Sequence, residues 1–447
     1  MSEIKDLIDG LLAGPDDPSA EFIPGGLTRG EIYGLAAGFL GSGMNEHEPV
    51  CVCTEDRGLV AAAILASLAG GAICVLPYAL SPRAISETGE ATGFRRAIID
   101  RPIDLPDGVR GIIPVQDVWK PVSARDPESV FLKLFTGGST DRPRTWSKTP
   151  ASMIGEAHYQ AMKYGITGND LFAATVPPYH IYGLLFTVLI PFLASAAVVE
   201  GVHLFPGEIA AALRNDPVSV LVSVPVHYRA LNGTRIIDHG LRLAFSSAGP
   251  LDVKDADAFY RETGICVEEI YGSTETGGVA CKSSAAGREL LEPFGPVRWK
   301  IDGGLLSVKS PFISRDLPVD REGFFITGDM ADKVGDDRFL ILGRADSVVK
   351  VGGKRVDLAE VRERIRRIAG VRDAFVFSLA DRAGRGSAIA AIVESDFDET
   401  RLREMLAGEL EPYAVPRRIR VVKRMPSTSS GKYDRDAIVR YFNDKSD

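Results

Sequence analysis

The chain has 447 residues, with 52 lysines and arginines against 60 aspartates and glutamates, and a formal net charge of −8. That length exceeds one compact core and predicts two or three domains, while the acidic balance argues against nucleic acid as a partner. Hydrophobic residues at 45% and charged residues at 25% are the proportions of a globular, enzyme-sized protein.

In chain order, the opening MSEIKDLIDGLLAGPDD is acidic and lacks a long apolar core, so no secretory signal is expected. Leu27 to Phe39 has the pattern of an amphipathic helix with Thr28 as its N-cap. Val50 to Thr54 is a buried strand, Leu59 to Leu68 an Ala-rich helix, and Ala72 to Leu76 a second strand. The apolar run Val130 to Phe135 then breaks into TGGSTDRPRTWSKT. A helix near Ser152 to Lys163, strand Leu171 to Val176, helix Gly183 to Phe192 and strand Ala196 to Val199 follow. Strands Val218 to Val222, Leu241 to Ser246 and Ile265 to Ile270 each follow a helix. Strict alternation of strand and helix is the signature of an α/β fold whose parallel sheets are covered on both faces.

Past Gly303 the pattern changes. Leu305 to Val308 and Phe324 to Ile326 read as strands of a smaller, more antiparallel unit. A compact segment begins near Ser347, with strand Val348 to Val351, a helix with Leu358, Val361, Ile365 and Ile368 on one face, and strand Ala374 to Leu379. Strand Ile389 to Val393, a helix near Thr400 to Ala407 and a last helix, Asp434 to Phe442, complete it. Leu184 to Val199, the most apolar stretch, is interrupted by Pro191 and falls short of the ~20 residues of a membrane span. Cys51, Cys53, Cys74, Cys266 and Cys281 show neither zinc-ligand spacing nor an even count, so reduced thiols in a cytoplasmic protein are expected.

Several stretches carry chemistry. In the Thr136 to Thr140 loop, Gly137 and Gly138 let the backbone approach a ligand so that successive N–H groups converge on an anion, and Arg144 adds charge. The same composition also suits an ordinary turn. No G-x-x-x-x-G-K-[ST] occurs, so this is not the P-loop of kinases and GTPases. Ser246-Ser247-Ala248-Gly249-Pro250 ends a strand with small residues against which a flat ring can slide. Glu269-Ile270-Tyr271-Gly272-Ser273-Thr274-Glu275-Thr276-Gly277 ends a strand with an aromatic ring, a glycine, hydroxyls and a carboxylate suited to a hard cation. Phe325 to Met330 sets Asp329 just after a strand, and Leu342 to Ser347 lies where composition shifts, as a hinge does. Near the C-terminus, Lys432 sits in a Ser/Gly loop, the composition of ordinary surface when met alone.

In this order, these motifs resemble the adenylate-forming superfamily of acyl-CoA synthetases, nonribosomal peptide adenylation domains and firefly luciferase, from Leu27 through Lys432. The resemblance implies a large N-terminal domain of stacked, mostly parallel sheets with helices, residues 1–345, and a small mobile α+β C-terminal domain, residues 346–447, carrying the catalytic lysine. It further implies that Thr136, Gly137, Gly138, Ser139, Thr140 and Arg144 hold ATP phosphates. Ser247, Ala248, Gly249 and Tyr271 would sandwich adenine, with Gly272 and Ser273 beside it, Thr274 at the α-phosphate, and Glu275 with Thr140 on Mg²⁺. Asp329 and Arg344 would take the ribose, Asp346 would be the pivot, and Lys432 would serve adenylation. Lys350 would serve thioester formation, with Gly352 and Gly353 beside the thiol tunnel.

The chain departs from the family loop T-S-G-S-T-G-x-P-K at Gly137, Asp141 and Arg144. Pro177 to Gly183 reads PPYHIYG, like the acyl- and aryl-CoA ligases and without the aspartate that holds an α-ammonium group, so the acid is not an α-amino acid. His180 would lie near the substrate carboxylate, and Tyr179, Tyr182, Val224, Val226 and Tyr228 would line its pocket. The implied activity is ATP-dependent conversion of an acyl or aryl carboxylic acid to an acyl-adenylate and then to a thioester of CoA, with release of AMP and pyrophosphate. Two alternatives stay open: loading onto the phosphopantetheine of an acyl carrier protein, and a nucleotide-binding regulatory homologue without catalysis; the basic run Arg417, Arg418 and Arg420 with Lys423 and Arg424 would suit either CoA phosphates or an acidic carrier.

Overall fold

The computed structural model describes residues 2–42, 48–113, 115–136, 144–284, 289–351, 354–380, 387–428 and 433–443. They form two compact units. The first comprises the described residues up to Arg298 together with Lys309–Phe325; the second comprises Trp299–Val308, Ile326–Thr428 and the described residues 433–443.

The first unit opens with α1 (Ser2–Leu12) and α2 (Arg29–Gly41). Thr28 caps α2 through a capping box with Glu31, in which each side chain takes the other's backbone N–H. The expected amphipathic stripe is absent: Arg29, Ile32, Tyr33, Leu35, Ala36 and Phe39 are all buried, so α2 is enclosed on most sides. Arg29 is tolerated there because its guanidinium donates to the carbonyls of Phe192, Pro191 and Ala196.

Strands β1 (Val50–Val52), β2 (Cys74–Leu76), β3 (Arg96–Ile98), β4 (Arg110–Ile112), β5 (Leu132–Thr136) and β6 (Arg144–Lys148) make one sheet, ordered β4-β3-β1-β2-β5-β6. Its first five strands are parallel, with α3 (Arg57–Leu68) and α4 (Pro82–Thr92) in the crossovers, and β6 returns antiparallel to β5. The composition after Thr136 predicts loop; β6 instead runs from Arg144 because the chain must turn back to reach α5 (Pro150–Lys163).

The second sheet contains β7 (Leu171–Ala174), β8 (Ala197–Val198), β9 (Val220–Ser223), β10 (Leu243–Ser246), β11 (Val267–Ser273), β12 (Gly277–Ser283) and β13 (Glu292–Pro293), ordered β13-β12-β11-β10-β9-β7-β8. Strands β7 to β11 are parallel. Between β7 and β8 run α6 (Ile181–Leu184), a π turn at Leu185–Leu189 and α7 (Ile190–Leu193); α8 (Pro206–Asn215), α9 (Pro225–Ala230) and α10 (Val253–Thr263) join the rest. The chain leaves β7 toward β8 on one side and resumes with β9 on the other. In open α/β sheets ligands bind at such a switch, beyond the carboxyl ends of the strands.

In the second unit, β14 (Arg298–Asp302), β15 (Leu305–Lys309), β16 (Phe325–Val334) and β17 (Arg338–Arg344) form a four-stranded sheet. A short turn, Ala345–Ser347, leads to the hairpin β18 (Val348–Val351) and β19 (Lys354–Asp357). Helix α11 (Leu358–Arg367) buries Leu358, Val361 and Ile365 against β20 (Val371–Ala380) and β21 (Ser387–Ser395). After α12 (Glu399–Glu409), the basic run is strand β22 (Arg418–Val422), parallel to β21, where Ile419 is core and Arg420 is 3.0 Å from Glu399. Helix α13 (Arg435–Asn443) closes the unit with Ile438 and Phe442 buried.

All five cysteines are free thiols. Among the described residues no helix is long and apolar enough to cross a membrane.

Candidate active site

Three loops leave the carboxyl ends of parallel strands in the second sheet: Pro177–His180 after β7 and, from the adjacent strands β10 and β11, Ser247–Gly249 and the Tyr271–Glu275 segment. Each is braced from below. The Ser247 hydroxyl donates to the Ile270 carbonyl at 2.9 Å, and Leu251 N–H donates to Glu269 Oε2 at 2.9 Å. Burial pushes the Glu269 carboxyl above its ordinary pKa, and Lys282 at 3.2 Å opposes the shift. Ala248 takes φ 71°, a left-handed conformation that a side-chain-bearing residue seldom adopts. Such strain, of order 1 kcal/mol or more, is found where a loop is shaped for a ligand.

The β11 end is shaped by glycine. A bulge falls between Tyr271 and Gly272, and a Cβ on Gly272 would meet the Gly277 carbonyl oxygen at 2.2 Å. The turn is then closed by side chains: Ser273 N–H donates to Thr276 Oγ1 at 3.0 Å, Thr276 N–H to Ser273 Oγ at 3.3 Å, and the hydroxyls lie 2.9 Å apart. This cinch presents Thr274 and Glu275 between its ends, both half-buried. Ser314 N–H donates to the Glu275 carbonyl at 2.7 Å.

At the end of β5, Thr136 pairs with Arg144 across the hairpin and accepts from Trp146 Nε1 at 3.1 Å. Arg144 is exposed. Gly137, Gly138, Ser139, Thr140 and Asp141 lie outside the described residues.

His180 is the N-cap of α6, half-buried, with its ring 4.8 Å from that of Tyr179. A Cβ at Gly183 would overlap the Pro177 carbonyl oxygen at 1.9 Å, so only glycine lets α6 rest on this loop. Arg57, fully buried, donates to the carbonyls of Val176 and Gly201 and to Thr187 Oγ1, fixing the loop's base to the π turn. One expected pocket residue is reassigned. Tyr228 is 0% exposed, donates to the Phe245 carbonyl and packs edge-on against Phe259, so it is core.

In the second unit, the register of β16 with β17 sets Asp329 opposite Arg344, with Nη1 3.5 Å from Asp329 Oδ1. Asp329 N–H donates to Thr327 Oγ1, and Arg344 Nη1 to the Thr327 carbonyl. Asp346 lies in the Ala345–Ser347 turn and Lys350 on β18 opposite Arg355; the side chains of both are outside the described residues, as are Gly352, Gly353 and Lys432. The segment after Lys432 is anchored: Tyr433 bridges to Ser427, its ring lies 5.0 Å from Phe375, and its hydroxyl meets Asp373 and Arg362.

The AMP-binding enzyme profile matches residues 31–303, and the AMP-binding enzyme C-terminal domain profile matches residues 360–432. The chain belongs to the AMP-binding enzyme family. Among relatives of this AMP-binding enzyme, the sulfoacetate–CoA ligase of Cupriavidus necator is 24% identical over 394 residues, spanning 79% of this chain and 76% of the relative. ATP-bound MatB from Rhodopseudomonas palustris superposes with a TM-score of 0.84 at 20% identity, covering 98% of this chain and 99% of that one. The O-succinylbenzoate coenzyme A synthetase MenE from Bacillus subtilis, solved with ATP and magnesium ion, gives 0.78 at 19% identity, covering 91% and 92%. These likenesses confirm the expected α/β fold with a large first domain and a small C-terminal one.

Four residues that form or underlie the Glu275 turn have no role assigned from the sequence. Thr276 closes the Glu275 turn, and Lys148, Glu156 and Gln160 are buried beneath it. The signal was present for Glu156 and Gln160: they share the apolar face of α5 with Met153, Ala157 and Ala161, where a polar side chain is out of place.

Proposed function

We propose that this enzyme activates a carboxylic acid that is not an α-amino acid with ATP, releasing pyrophosphate, and passes the acyl group from the acyl-adenylate to the thiol of CoA, releasing AMP. The observation that carries this reading is the braced Tyr271–Glu275 turn beside the Ser247–Gly249 loop at the carboxyl ends of adjacent strands.

Thr136, Gly137, Gly138, Ser139, Thr140 and Arg144 would hold phosphates, and Ser247, Ala248, Gly249 and Tyr271 would flank adenine, with Gly272 and Ser273 giving the backbone its close approach. Glu275 and Thr140 are hard oxygen donors suited to Mg²⁺, and Thr274 would meet the α-phosphate. Among the described residues no three His, Cys, Asp or Glu side chains form a metal-ligand set, so the ion would complete its shell with phosphate oxygens and water. Bound there, it would neutralise phosphate charge as the carboxylate attacks.

The protein's part is to bring two anions together. Lys432 would bridge the acid and the α-phosphate, His180 would border the carboxylate, and Asp329 with Arg344 would grip the ribose. A pivot at Asp346 would separate residues 1–345 from the mobile 346–447 and exchange Lys432 for Lys350, with Gly352 and Gly353 lining the thiol's path. The reducing cytoplasm, with its ATP and CoA, is the compartment that keeps the five thiols free.

Pyrophosphate exchange dependent on added acid tests the first half. Lys432→Ala lowers it by about 10²–10³ while ATP binding persists, because the lysine acts on the transition state. Lys350→Ala spares exchange and slows thioester formation. Normal exchange by Lys432→Ala contradicts the assignment, and acyl transfer to a carrier protein but not to CoA would replace the acceptor.

A further inference from the structure

Lys148 and Glu156 are 0% and 1% exposed, and no part of the reaction as proposed uses them. Lys148 lies on β6, just beyond the phosphate loop, and its Nζ donates to the Phe312 carbonyl at 3.1 Å. Glu156 lies on α5, and its Oε1 accepts from Gly278 N–H at 2.7 Å. The two attract one another across the interior, and Glu275 adds to the field at Lys148.

The segment that Lys148 grips runs between the two halves of the nucleotide site. Ser147 N–H donates to Asp316 Oδ2 at 2.7 Å, and Arg315 N–H donates to the Ser147 carbonyl at 3.2 Å. From the same segment, Ser314 N–H holds the Glu275 carbonyl. On the far side of the turn, a Cβ on Gly277 would stand 2.5 Å from Glu156 Oε2, and one on Gly278 2.8 Å from Oε1. The carboxylate therefore fills the space directly against the strand that leaves the Glu275 turn.

We propose that Lys148 and Glu156 are positioning residues for the metal–nucleotide site, clamping residues 310–316 and Gly278 so that the Glu275 turn keeps its register with β6. The inference rests on the function proposed above. Stability alone does not account for the pair, since apolar residues of similar volume generally serve a core as well or better. Glu156 Oε2 and both polar atoms of the Gln160 side chain also have no hydrogen-bond partner among the described residues, a cost that packing alone does not recover.

The test compares Lys148→Met, Glu156→Gln and the double variant with wild type, measuring KM and kcat for MgATP in pyrophosphate exchange, equilibrium MgATP binding by calorimetry, and melting temperature. Each single variant weakens MgATP binding by about tenfold or more, as loss of a residue that orients a metal ligand does. The double variant binds no worse than the weaker single one, because the two residues act as one device. It leaves no charge unpaired, so its melting temperature recovers while KM for MgATP stays raised. A folded double variant with wild-type KM and affinity overturns the inference, and it decides the matter if a single variant does not fold. Wild-type protein that neither binds MgATP nor exchanges pyrophosphate with any acid instead defeats the functional reading, and the inference falls with it.

Discussion

At Lys148 and Glu156, burial and charge oppose one another. Burial pushes the lysine down to about 8 and the glutamic acid up to about 7, and each partner's charge resists the other's shift. A carboxyl whose folded pKa is raised stabilises the fold at pH below its ordinary 4.5 and loses that contribution as pH rises through the folded value. In Lys148→Met the carboxyl loses the cation that opposes its shift, so its pKa rises above about 7. The variant's melting temperature accordingly keeps falling as pH rises beyond 7, where the wild-type contribution of Glu156 is already spent; parallel wild-type and variant profiles there contradict this account. Little of this was legible in the sequence. Tyr271 and Glu275 announce themselves by composition, whereas Lys148 reads as one more polar residue after a loop until the fold brings Phe312 to it.

Among elements, those bounded by local chemistry were readable. Thr28 with Glu31 three residues on specifies the start of α2, and Thr28→Ala should cost about 1 kcal/mol in urea unfolding while Thr28→Ser costs little. A loss indistinguishable from zero would mean the cap contributes nothing in context. The sides of α2 were not readable, because its apolar stripe is covered and so is the rest. Strand β6 and strand β22 were missed for a related reason: their polar residues are satisfied by partners distant in sequence, Asp316 for Ser147 and Glu399 for Arg420. Gly183 illustrates the opposite case. Its motif position points to substrate class, yet its lack of a side chain is required by the Pro177 carbonyl. Gly183→Ala should destabilise by about 1–3 kcal/mol through overpacking and raise KM for the acid, whereas wild-type values for both would show that the loop yields freely.

For the whole molecule, ligand linkage gives a direct check. MgATP at 100 times its Kd should stabilise the folded protein by about 2.7 kcal/mol, read as a higher melting temperature, and no shift at millimolar MgATP contradicts nucleotide binding. The α/β class, the order of the motifs and the change of character past Gly303 were set by the sequence alone, because they depend on periodicity and on turn chemistry within a few residues. Only the tertiary structure decided which residues stand under the Glu275 turn, that Tyr228 is core, and that residues 310–316 join β6 to that turn. Those outcomes depend on burial and on hydrogen bonds between residues from 17 to 169 positions apart, which no local pattern encodes.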